Sequence, residues 1–360
     1  MCRNMSEFFN SNALRLPRLR VVDGPDIVTF VKSIQEKYQR AFTHLTQQQQ
    51  QQRQGPLLTA IADRRADVDN LWTQIVKALA EYLAGHPADA YAALARGLDA
   101  VQPDLNRLAT RPIGRKEIPR FYRMVRGGEA TATRQRMFHC PMNRRHQVGQ
   151  HRYGIPGFPC LYLGGSLMDC QAECRIHDAD LPYCFITEFV IRSRQKLKLL
   201  DFGYRPSVLA TLAGTADARP RTDAGAQRGR QQLEAFLTSY LVCWPLIAAA
   251  SIPTPHDGSP FVEEYIIPQL ILQWVMKNSE WDGIRYFSAR WTPPDDRLRA
   301  SVNYVFPARW PFHKKKWSKR LAKKFAWTSP IAWHSSKMNL YEQHYDNEQK
   351  LKRMRKSPLR

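Results

Sequence analysis

Two hydrophobic textures meet near Pro112, and that break constrains the fold of the 360-residue chain more than any other feature. Before it, Ile27, Phe30, Val31, Ile34 and Tyr38 recur at helical spacing, as do Val68, Leu71, Trp72, Ile75, Val76, Leu79 and Leu83. A third helical segment spans 88–98 and stops before Pro103. After the break come short apolar runs of strand length at 121–125, 160–163, 183–191, 197–202, 284–288 and 302–306. Helical pieces at 167–177, 231–241 and 264–276 alternate with them. This mixture predicts an α+β domain over 111–308, preceded by an all-α domain over 1–110.

Between the first two helical segments, the glutamine run 47–52 leads into Arg53, Gln54, Gly55 and Pro56, the mark of a solvated linker or a helix extension. The segment 215–230, rich in Ala, Arg, Gly and Asp, reads as a surface loop. An uncharged stretch at 235–253 is barely long enough for a membrane span and contains Thr238, Ser239, Tyr240, Pro245 and Ser251. A buried helix broken near Pro245 is the expectation there. The first twelve residues are polar, without the apolar core of a secretory signal.

Neither GxGxxG nor GxxxxGK[ST] occurs, which argues against Rossmann or P-loop nucleotide binding. Seven cysteines, Cys2, Cys140, Cys160, Cys170, Cys174, Cys184 and Cys243, form no regular framework and suit reduced thiols in a cytosol. A zinc set would have to combine Cys170 and Cys174 with His139 and Cys140 or His177. Paired CxxC spacing is lacking, so no metal is expected.

The net charge is +22, and it is concentrated. Residues 309–360 carry 15 Lys+Arg against 3 Asp+Glu, a net of +12. In this basic tail Trp317, Leu321 and Phe325 are spaced every four residues among lysines. On a helix they would form an apolar stripe able to lie on anionic lipid, dock an acidic protein or leave the lysines to nucleic-acid phosphates. A solvated basic helix packed on the protein by that stripe is the plainer alternative. The end of the chain, 350–360, reads as disordered.

The chemistry-bearing residues lie between these regions. Phe121-Tyr122-Arg123-Met124-Val125-Arg126 places Arg123 inside an apolar strand, with Arg126 near by. His151-Arg152-Tyr153-Gly154 precedes a Pro-Gly loop and the strand Cys160-Leu161-Tyr162-Leu163. Ser166-Leu167-Met168-Asp169 has the form of a capping box, and Glu173 falls two turns into the helix it opens. Much later, Trp281-Asp282-Gly283-Ile284-Arg285-Tyr286-Phe287-Ser288 ends a strand on a hydroxyl, with Ile284, Tyr286 and Ser288 sharing one face.

This succession resembles the RES domain family, named for an arginine, a glutamate and a serine. The resemblance covers roughly 115–307, and its most specific pieces are Leu161-Tyr162-Leu163 with the glutamate eleven residues after the tyrosine, and the Asp282-Gly283-Ile284 strand ending at Ser288. Glu264-Tyr265-Ile266-Ile267-Pro268-Gln269 and Val302-Asn303-Tyr304-Val305-Phe306 are companion segments. The chain departs from the family at His151-Arg152-Tyr153, where Gly-Arg-Phe or Gly-Arg-Trp is usual.

The resemblance implies an ADP-ribosyltransferase-like fold and a toxin that degrades NAD as its substrate in the cytoplasm, neutralised by an antitoxin or immunity protein, with a homodimer in keeping. It implies that Glu173, Arg123 and Ser288 are catalytic and that Arg152 and Tyr162 bind the dinucleotide, with Arg126 as a substitute for Arg123. The expected reaction is cleavage of the nicotinamide–ribose bond by hydrolysis or phosphorolysis. The alternatives are ADP-ribosyl transfer to a protein or nucleic acid, and a non-enzymatic basic nucleic-acid-binding protein.

Overall fold

The computed structural model describes residues 5–52, 56–109, 120–128, 132–192, 195–216, 224–256, 258–288, 301–309, 316–335 and 340–356. The helices are α1 (Met5–Phe9), α2 (Ile27–Gln52), α3 (Pro56–Ala62), α4 (Arg65–Leu83), α5 (Pro87–Ala100), α6 (Gln102–Leu108), α7 (Leu167–Glu173), α8 (Pro206–Ala216), α9 (Ala224–Ala250), α10 (Ile266–Lys277), α11 (Lys319–Lys324) and α12 (Leu340–Lys356). The strands are β1 (Arg120–Arg126), β2 (Cys160–Gly164), β3 (Cys184–Ile191), β4 (Leu199–Phe202), β5 (Gly283–Phe287), β6 (Val302–Pro307), β7 (Phe325–Trp327) and β8 (Ile331–Ala332). The fold is α+β, with a helical N-terminal region.

The chain divides into two compact units, and the division is not sequential. Residues 5–109 and 200–277 make the first, which is mostly helical; residues 120–199, 278–288 and 301–356 make the second, which carries the sheet. The helical unit thus takes in α8, α9 and α10, from within the 111–308 span that the sequence suggests for one domain. Its core follows the 3.6-residue period: α4 buries Val68, Leu71, Trp72, Ile75 and Leu79. The buried Asp104 carboxylate on α6 is held by Arg64 (3.1 and 2.6 Å) and by the Ser239 hydroxyl of α9 (2.8 Å). A charge taken out of water has to be paired in this way.

Helix α9 is long and apolar enough to cross a membrane, but 78% of its apolar window is buried. It differs from the expected broken helix by continuing through Pro245 to Ala250. Packing of Leu237, Leu241, Trp244 and Ile247 on both sides of the proline outweighs the one hydrogen bond that proline removes. The glutamine run is a helix extension, since α2 continues to Gln52. Of the stretch read as a surface loop, 217–223 lies outside the described residues, while 215–216 ends α8 and 224–230 begins α9.

In the second unit the strand order is β5-β6-β2-β1-β3-β7, with β8 also on β3, and these ladders are antiparallel. Alternation gives two buried faces. Phe121, Leu161, Leu163, Phe189 and Phe306 form one cluster, and Tyr122, Met124 and Ile186 meet Leu167, Cys170 and Leu351 in the other. The segment after 309 is part of this architecture. Leu321 and Phe325 sit in the first cluster, Trp317 packs against it, and β7 and β8 pair with β3. Within the described stretch 316–327, α11 is helical over six residues and gives way to β7 at Phe325, and Leu321 and Phe325 are buried in the core. The terminal segment read as disordered is helical in α12 as far as Lys356; 357–360 lie outside the described residues.

Candidate active site

The candidate residues cluster around the junction of β2 and α7. Ser166, in extended backbone, accepts the Asp169 N–H on its hydroxyl (3.1 Å) and so starts α7. The Asp169 carboxylate, buried and pushed up to about 6 by desolvation, accepts from the Ser301 hydroxyl. The helix ends after Glu173, with Cys174 as its cap and Arg175 in the left-handed region at φ 53°. Gly164 lets α7 lie close to β2: a Cβ there would stand 2.7 Å from Cys170 Sγ.

This geometry carries Glu173 to the sheet face formed by β6 and β5. Its Oε2 accepts from Asn303 Nδ2 (3.0 Å) and from the Ser288 hydroxyl (3.5 Å), the latter at the outer limit of hydrogen bonding. Both donors are nearly dry, at 3% and 5% exposure, whereas Glu173 itself is half-buried. Asn303 pairs across the strands with Tyr286 and with Gly164, so Tyr286 shares this face. Tyr162, two residues before Gly164, shares it too.

The Tyr162 hydroxyl is buried and, among the described residues, makes no well-formed hydrogen bond, although the Cys160 thiol lies beside it. Desolvation raises its pKa well above the ordinary value, and neighbouring Cys160, Tyr286 and Glu173 add to the shift. The phenol is therefore neutral and lies close to the Glu173 carboxylate. Above it folds the turn His151–Gly154: the His151 ring meets the Tyr162 ring edge-on at 5.4 Å, and Tyr153 lies 4.6 Å from Tyr286. Gly154 is required by contact, because a Cβ would stand 2.4 Å from Tyr162 Oη. Arg152, in the same turn, is 9% exposed.

Strands β1 and β2 share one ladder pair, Tyr122↔Gly164, and part beyond it on the side of Arg123 and Tyr162. Arg123 is half-buried, and its Nη1 is sealed from solvent without a hydrogen-bond partner among the described residues. Desolvation lowers its pKa, while Cys174, Cys170 and Cys140 act the other way. Its charge is also felt by His151, whose pKa falls through desolvation first and Arg123 second. Ring contact joins His151 to Tyr162, and hydrogen bonds join Glu173 to Ser288 and Asn303; Arg123, two residues from Phe121 along β1, springs from the opposite face and is linked to His151 through its charge. Arg126 is not among them: it is exposed at the end of β1 and paired with Asp180 (3.0 Å).

Asn303 is the residue that motif matching does not single out. Its signal in the sequence is an amide in the middle of the apolar run Val302-Asn303-Tyr304-Val305-Phe306, where a buried side chain of that type needs a partner. Asp169 and Tyr286 were likewise legible only as a cap and as a strand residue.

Of the cysteine and histidine set considered for zinc, Cys170, Cys140 and His139 are engaged in other bonds. Cys170 donates to Tyr122 O, Cys140 to Arg144 O, and His139 is bonded at both nitrogens, to Cys140 O and Ser318 N. Among the described residues, one group has metal-ligand proximity: Glu81, His86 and Asp89 at the turn between α4 and α5. It is exposed or half-buried, and His86 faces Glu81 at 3.3 Å.

No family model and no solved structure matches the chain. Over 293 residues, 79% of its length, the chain is 28% identical to the protein named "Putative toxin YopC" from Bacillus subtilis (strain 168). It spans 62% of the length of that protein.

Proposed function

We propose that the chain is a toxin-type enzyme that breaks the nicotinamide–ribose bond of NAD. Similarity to a protein named as a toxin supports a toxin-like function. The chemistry rests on one observation: the Glu173 carboxylate is held by Asn303 and Ser288 beside two tyrosines on a dry sheet face.

When the bond between C1 of the ribose and the pyridinium nitrogen breaks, its electron pair goes to nicotinamide, which leaves neutral and needs no acid. The ribose carbon takes on oxocarbenium character. A fixed carboxylate opposite that charge lowers the barrier because its orientation is set before the reaction. Glu173 is the group for this role. Asn303 and Ser288 keep the carboxylate pointed. Tyr162 fences the nicotinamide, and the unpartnered guanidinium of Arg123, with Arg152, suits the pyrophosphate, for which a planar fork of donors is apt. An oxygen of water or inorganic phosphate then bonds to the ribose carbon, water losing a proton as it does so. A toxin of this kind would have a neutralising antitoxin or immunity protein as its partner.

The test is mass spectrometry of NAD incubated with the purified protein, with and without phosphate. Nicotinamide with ADP-ribose, or with a phosphorylated ADP-ribose when phosphate is present, is the expected result. A mass gain on a protein or nucleic acid would instead mean ADP-ribosyl transfer. Unchanged NAD in every condition would leave a non-enzymatic binder.

A further inference from the structure

With Leu321 and Phe325 buried in the core and Trp317 packed against it, the apolar residues of the described stretch 316–325 face the protein and not a lipid surface. What this packing leaves outside is Lys316, Lys319 and Lys323, each exposed and, among the described residues, without an ion-pair partner. The adjacent Arg320 and Lys324 are engaged by Asp282, at 3.2 and 2.8 Å. A second basic segment runs alongside. Met142 N–H donates to Lys316 O (3.0 Å), and Ser318 N–H donates to His139 Nε2 (2.9 Å). The 3-10 turn Met142–Gln147 thereby adds exposed Arg144 and Arg145, the latter fixed by a bond from Nε to Gly157 O (2.9 Å).

The chemistry of this surface narrows its partner. Five exposed cations lie on two segments joined by hydrogen bonds, and no large hydrophobic side chain of 134–150 or 316–325 is exposed. A protein interface needs aromatic or aliphatic anchors at its centre, and binding of single strands needs exposed rings for base stacking. Lysine-rich surfaces without either feature suit a regular array of phosphates. We infer that Lys316, Lys319, Lys323, Arg144 and Arg145 dock the phosphate backbone of a nucleic-acid duplex without reading its bases. This inference is independent of the proposed NAD chemistry.

Fluorescence anisotropy of the full chain with a labelled 20-bp mixed-sequence DNA duplex, between 50 and 300 mM KCl, tests it. Five contacts give a slope of log K against log salt of about −4.5, at about 0.9 per phosphate. The variant Lys316→Glu/Lys319→Glu/Lys323→Glu should bind at least about tenfold more weakly at 100 mM salt, with a slope shallower by about 2.7. Lys319→Gln/Lys323→Gln, a milder surface change, should move the slope by about 1.8 in the same direction. Unchanged affinity and slope in both variants would overturn the inference. So would tighter binding of the unaltered protein to polyglutamate or to phosphatidylglycerol vesicles than to the duplex.

Discussion

The residue that decides whether the site can exist is Asn303, since its amide fixes the carboxylate oxygen of Glu173 in a nearly dry environment. A hydrogen bond to a charged acceptor contributes about 1.5–3 kcal/mol. Asn303→Ala should therefore slow nicotinamide release by roughly ten- to a hundredfold, measured as kcat on NAD, with the melting temperature as a control for folding. Gly154 makes a different claim. A methyl group there has to displace the Tyr162 hydroxyl or the His151 side chain, so Gly154→Ala should lose about 1–3 kcal/mol of stability. Adding Tyr162→Phe removes the nearest clash together with an unpartnered buried hydroxyl, and thermal melts should show much of the loss restored. Equal destabilisation in the single and double variants would contradict that contact. Arg123, Tyr162, Glu173 and Ser288 were singled out in the sequence by the family resemblance that their succession carries. Asn303 and Gly154 act through contacts between distant segments, which a linear pattern does not display.

Helices and strands are clearest in the sequence where local and tertiary demands agree. The capping box at Ser166 does start α7, and the strand runs at 121–125, 160–163 and 302–306 lie within observed strands, because alternation and burial point the same way there. Trp317, Leu321 and Phe325 show the opposite case. Their four-residue spacing fits one long helix, yet Phe325 has joined β7 on β3, where pairing and core packing outweigh a helical period. The join between α7 and β6 carries a pH signature. Burial raises the Asp169 pKa from 3.8 to about 6, so the native state holds its proton more tightly than the unfolded chain does. This stabilisation is complete below about pH 4 and is lost as pH rises through about 6. Asp169→Asn lacks the titration. Its melting temperature relative to the unaltered protein should rise between pH 4 and 6 and level off above; parallel profiles would count against the assignment.

For the whole molecule, the sheet unit is assembled from pieces that the chain visits at different times, and the helical unit likewise. A reading along the sequence finds the textures but not this interleaving, since nothing local marks the return to the helical core at Leu200 or the departure from it after Lys277. One consequence concerns the C-terminal segment. Ending the chain after Pro307 deletes β7, β8, α11 and α12, and with them Leu321, Phe325 and Leu351 from the two sheet clusters. The shortened protein should lose its cooperative thermal transition and become sensitive to limited proteolysis, where a detachable basic tail would leave both intact. The role of the Glu173 carboxylate is tested by nicotinamide release from NAD by the intact protein and by Glu173→Gln, which keeps the shape and removes the charge. The expected result is release by the intact protein, slowed at least about a hundredfold in the variant while its melting temperature stays close to the original. Equal release by the two proteins, or none by either, would contradict the assignment of Glu173.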